Sequence, residues 1–187
     1  IDGIDTCNQD ALRNLINVIY NSKIKSLPEY NSRELFSTTD ALITTRQIYP
    51  LVQNNDIVHL HWIAGLLNYQ DMGTWLKTKP IVWTLADMNA FTGGCHYSEG
   101  CLEFINKCER CHLLGDGVKI AEEAWKMKNE AFSQLNNLTI ICPSQWLANL
   151  ARKSSLLKNR PIHVIPNAYP TDLFKPIDML EARKILG

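Results

Sequence analysis

Four cysteines and two histidines crowd into the segment from Cys95 to His112, with the thiols spaced C-x5-C-x6-C-x2-C and His96 and His112 beside them. Zn²⁺ takes four sulfur or nitrogen ligands in a tetrahedron. One tight turn can present Cys108 and Cys111 while Cys95 and Cys101 arrive from the preceding loop. A zinc ion held by Cys95, Cys101, Cys108 and Cys111 would have no position left for water or substrate, so the metal would be structural. Reduced buried thiols and disulfides are the two other states open to these residues. The first residues, Ile1-Asp2-Gly3-Ile4-Asp5, are not a secretory signal, which favours a reducing compartment over a disulfide scaffold.

A second set of chemistry-bearing residues recurs just after apolar runs. His59-Leu60-His61-Trp62 closes one run, Ala86-Asp87-Met88-Asn89 the next, Ser144 a third and Asn167 a fourth. Asp87 and His61 are the candidates for polar positioning and electrostatic work on a reacting group. His59, Trp62, Asn89, Ser144 and Asn167 are the candidates for holding an acceptor. Each of these polar residues is equally a cap or turn former taken alone; their coincidence at one edge carries the functional reading. The pair His59 and His61 shares a strand face by its period of two, but a lone strand pair is more often a packed and hydrogen-bonded feature, so metal binding is the weaker use.

The elements that must bring these residues together are legible from periodicity. Ile57 to His61, Ile81 to Leu85, Leu138 to Cys142 and Ile162 to Ile165 read as strands, alternating with helical stretches in the manner of a parallel α/β sheet. Val118, Ala121, Trp125, Phe132 and Leu135 mark one face of a helix from about Val118 to Leu135. Ser144 is the expected N-cap of a helix from Gln145 to Lys153. Further helices are expected from Asp10 to Tyr20, with Leu12, Leu15, Ile16 and Ile19 on one face, and from Met179 to Leu186. Ligands of open parallel sheets sit beyond the carboxyl ends of the strands, where the polar residues fall.

Composition narrows the partners. Lys plus Arg equals Asp plus Glu at 19 each, so no excess positive field collects nucleic acid, and a zinc-ribbon nucleic-acid binder is disfavoured. The longest apolar runs fall far short of the roughly 20 residues that span a bilayer. The expected location is cytoplasmic, with peripheral association at the inner face of the membrane left open.

Taken in order, several stretches resemble the family-4, group 1 bacterial glycosyltransferases of surface-polysaccharide assembly, of the colanic-acid type. They are 56–62 (DIVHLHW), 79–85 (KPIVWTL), Asp87-Met88-Asn89 with 91–97 (FTGGCHY), Cys108 to Cys111, 142–147 (CPSQWL), and 164–167 (VIPN) with Phe174-Lys175-Pro176. The resemblance implies a GT-B fold, in which an N-terminal Rossmann-like domain takes a saccharide or lipid-linked acceptor and a C-terminal domain binds a nucleotide-sugar donor, with no catalytic metal expected. On this reading residues 1–178 form the acceptor-side domain without its opening part. Residues 179–187 begin a linker or donor domain, and the chain by itself is expected to be inactive.

One departure bears on catalysis: many relatives have His-Asp after the second strand, where this chain has Ala86-Asp87. That change supports an alternative from another class, a noncatalytic zinc-stabilised binding module on a transferase-like scaffold.

Overall fold

The computed structural model describes residues 36–37, 45–70, 72–115 and 117–187. The helix expected from Asp10 to Tyr20 lies outside them. Among the described residues four short strands carry the fold: β1 (Val58–Leu60), β2 (Ile81–Thr84), β3 (Leu138–Cys142) and β4 (Ile162–Val164). They pair in parallel in the order β1-β2-β3-β4. Parallel strands need long crossovers. Helices α1 (Thr45–Gln53), α2 (Met72–Trp75), α3 (Ile120–Ser133), α4 (Gln145–Lys153) and α5 (Met179–Leu186) flank the strands, with short 3₁₀ turns at Asn89–Phe91 and Glu103–Ile105. The arrangement is α/β and Rossmann-like, and each expected strand and crossover helix is present within a residue or two of its expected bounds.

Burial alternates along β2 and β3, so Ile81, Trp83, Leu138, Ile140 and Cys142 point into one packed face. In register Ile81 lies between Val58 and Leu138, and Trp83 between Leu60 and Ile140. α3 lays Phe132 on this face, where it meets Trp83 edge-on at 5.9 Å between ring centroids and Tyr69 at 6.0 Å. Burying aromatic side chains this fully contributes on the order of 2–3 kcal/mol each.

The buried stripe of α3 holds a surprise. Ala121, Trp125 and Phe132 follow the expected period, and the missing position in it is Lys128, which is fully buried. α4 begins as its sequence predicts: Ser144 is extended and its Oγ accepts the Leu147 N–H at 3.2 Å. Arg152 and Lys153 close its last turn, where cations complement the carbonyl end. α5 is capped by Asp178, whose carboxylate accepts the N–H groups of Leu180 and Glu181, and none of its residues is buried.

Candidate functional site

The carboxyl ends of β1 and β2 open into a pocket of about 270 Å³, counting its open mouth, lined by His61, Trp62, Tyr69, Asp87 and Asn89 among others. Parallel direction and neighbouring register bring the ends of β1 and β2 to one rim. The indole N–H of Trp83, inside the sheet, donates to the His61 carbonyl at 3.1 Å and so fixes where β1 releases the chain. His61 is exposed in this rim, and Trp62 is half-exposed. His59 leans on His61, ring centroids 4.3 Å apart, with Nε2 2.9 Å from the Thr84 hydroxyl. The two histidines share a face as their spacing predicts.

Asp87 and Asn89 line the pocket, with their polar atoms engaged by neighbouring groups. Both are buried. Asp87 Oδ2 lies 2.5 Å from His96 Nδ1, and Oδ1 accepts the Asn89 N–H at 2.8 Å. Asn89 Nδ2 donates to the Gly94 carbonyl at 2.7 Å. Asp87 therefore works through His96, and Asn89 closes its own loop. A carboxylate with both oxygens engaged is a positioning group rather than a free base.

His96 is the centre of this arrangement. Its Nδ1 faces Asp87, its Nε2 lies 2.8 Å from the Ser37 hydroxyl, and Trp62 stacks flat on its ring at 4.9 Å. An ionised Asp87 places the proton on Nδ1, so in the neutral ring Nε2 accepts from Ser37. The order Ser–His–Asp matches a nucleophilic triad in connectivity. Its placement does not: Ser37 and His96 are both buried, and neither lines the pocket. A nucleophile needs room for a substrate carbon beside it, so this chain of bonds braces the Trp62 wall instead.

Lys128 ties down the loop that carries Asn89 and Thr92. Its ammonium donates to the Asn89 carbonyl at 2.5 Å and the Thr92 carbonyl at 3.1 Å, and lies 5.1 Å from the Tyr69 ring centroid. Burial lowers its pKa to about 8, opposed by the nearby Cys95, Cys108 and Asp87. Burial also pushes the Tyr69 phenol up, with Asp87 adding to the shift.

Ser144 and Asn167 stand at the same sheet edge, after β3 and β4, but outside this pocket. Ser144 is exposed and occupied as a helix cap. Asn167 is exposed in the irregular chain after β4. Tyr97 and Trp146 form an exposed aromatic pair with centroids 6.3 Å apart. The strand order contains no reversal among the described strands, so the pocket is marked by its side chains and not by a topological switch point.

The four clustered cysteines line a separate pocket of about 320 Å³, open mouth included, together with Phe36 and Phe104. All four are free thiols. Burial pushes Cys95 up to about 11 and Cys108 up to about 12, and raises Cys111. Among the described residues no three His, Cys, Asp or Glu groups already stand around one point as metal ligands. The thiols share a pocket without closing on a centre. His96, one of the two histidines of the segment, is turned away to Asp87.

No family profile matches the chain, and no solved structure matches it. A protein of Escherichia coli K12 named as a colanic acid biosynthesis glycosyl transferase, WcaC, is 29% identical over 133 residues, which cover 63% of this chain and 32% of that relative. The similarity therefore spans about a third of the relative's length. Among the described residues no helix is long and apolar enough to cross a membrane.

Proposed function

We propose that this chain carries the acceptor side of a glycosyltransferase that moves a sugar from a nucleotide-sugar donor to a saccharide or lipid-linked acceptor in surface-polysaccharide synthesis. The observation that carries the reading is the pocket at the carboxyl ends of β1 and β2, walled by His61 and by a Trp62 ring held flat on His96. Sugars offer hydroxyls and flat C–H faces; a polar imidazole beside a rigid, half-exposed indole suits both. The likeness to the named glycosyl transferase supports the same class.

In this reading His61 touches the acceptor and helps orient or deprotonate its hydroxyl. Asp87, His96 and Ser37 hold the wall that aligns it, and positioning of this kind is a large part of transfer catalysis. A GT-B partner domain would supply the donor. The test is an assay of the full-length protein with a panel of nucleotide sugars and saccharide acceptors. Transfer that falls 10²-fold or more in His61→Ala is expected; no transfer and no donor hydrolysis with any donor would refute the proposal.

A noncatalytic binding module is the second reading, favoured by Ala86, an exposed methyl group on the pocket wall where the resembling family has His. Under it, Ala86→His would leave donor hydrolysis at background, whereas an enzyme would keep or gain turnover.

A further inference from the structure

We infer that Cys95, Cys101, Cys108 and Cys111 bind one thiophilic divalent cation, zinc in the cell, as a structural tetrathiolate centre that orders the loop between β2 and α3. All four side chains line one pocket. Two of the sulfurs also accept a backbone N–H. The Gly93 N–H donates to Cys108 Sγ at 3.1 Å and the Glu103 N–H to Cys101 Sγ at 3.5 Å. A thiol sulfur is a weak acceptor, whereas metal-bound thiolates are held by such outer-shell bonds.

The backbone points the same way. Glu99 (φ 47) and Cys108 (φ 53) are the only described non-glycine residues in the left-handed region, with Gly100 (φ 86) beside the first. Glu99 and Gly100 turn the chain into Cys101, and Cys108 is itself a proposed ligand. Strain of this kind persists where the surroundings over-determine it, as at a ligand clamp. The third observation is charge. Lys128 is a fully buried cation with no carboxylate in ion-pair range among the described residues. A tetrathiolate centre carries net negative charge and would stand near it as the counter-charge.

The thiols do not yet ring a point, so binding draws them in, a step that cysteine achieves by rotating its single side-chain torsion. His112 lies at the pocket rim and is exposed; it is assigned no ligand role.

The test is metal analysis of the full-length protein purified without chelator, followed by Co²⁺ titration of the stripped protein. About one equivalent of zinc is expected, with a thiolate-to-cobalt charge-transfer band that saturates at one Co²⁺. Cys108→Ser and Cys111→Ser should each weaken Co²⁺ binding more than about a hundredfold. Cys142→Ser and His112→Ala should leave it unchanged. Less than half an equivalent of metal together with no charge-transfer band would overturn the inference, as would a disulfide within the cluster. Loss of binding in His112→Ala would overturn the ligand set. If the cysteine variants fail to fold, the Co²⁺ spectrum of the unaltered protein decides. None of these readouts depends on sugar transfer.

Discussion

Gly93→Ala is the sharpest stability test of how the loop after β2 is fastened to α3. A methyl group at Gly93 would stand 2.4 Å from the Ala121 carbonyl oxygen and 2.9 Å from both the Ala121 carbonyl carbon and its Cβ. Carbon–oxygen contacts ordinarily begin near about 3.3 Å, so loop and helix must separate by roughly 0.9 Å. Helix backbone cannot rotate away as a side chain would. Overpacking of this kind costs about 1–3 kcal/mol. The same shift stretches the bond from the Gly93 N–H to Cys108 Sγ, adding about 1 kcal/mol.

The expected total, about 3 kcal/mol, corresponds to a fall in Tm of roughly 6–12 °C for a domain of this size. Gly100→Ala is the control. Gly100 has φ +86 but nothing within 4 Å of an added methyl, so only the left-handed penalty of about 1 kcal/mol applies. Thermal and urea unfolding of the two variants beside the parent would measure the difference. A Gly93→Ala variant within about 0.5 kcal/mol of the parent, or no worse than Gly100→Ala, would refute the packing argument.

Three further outcomes follow from the site. In metal-stripped protein the folded chain releases the Lys128 proton near pH 8, while the unfolded chain keeps it to 10.5. The unfolded state thus binds more protons in that window, and Lys128 makes stability rise with pH across it by at most about 3 kcal/mol; urea unfolding at several pH values should show that rise missing from Lys128→Met, and parallel curves would exclude it. Asp87→Ala leaves the buried His96 Nδ1 and the Asn89 N–H without their partner, an expected loss of about 2–4 kcal/mol by urea denaturation. Ser144→Ala removes the cap of α4 and should cost about 1 kcal/mol, read as a lower Tm with unchanged secondary structure by circular dichroism.

Much of the architecture was legible because it rests on local rules. Alternating burial in Ile81–Thr84 and Leu138–Cys142 follows the period of two, and Ser144 caps α4 as a serine before a helical stripe should. The site was legible only in part. His61 and Trp62 were found at the rim because strand ends are predictable, but the roles of Asp87 and Asn89 depend on partners at His96 and Gly94 that no spacing announces. His96 read as a member of the cysteine segment, although its ring stacks under Trp62 and bonds Asp87. Ser37 is 59 residues from His96 and carries no motif. Lys128 did leave a trace: it fills the gap between Trp125 and Phe132 in an otherwise apolar stripe, which a charged residue occupies only when the fold supplies it with partners.

The enclosed ammonium of Lys128 also makes the protein a clock for its own breathing. Acylating reagents attack only amines that solvent reaches, so surface lysines would be labelled at once while Lys128, held by the carbonyls of Asn89 and Thr92, would be labelled only when α3 and the loop part. The rate at which mass spectrometry finds that one site modified would time that parting without any substrate in hand.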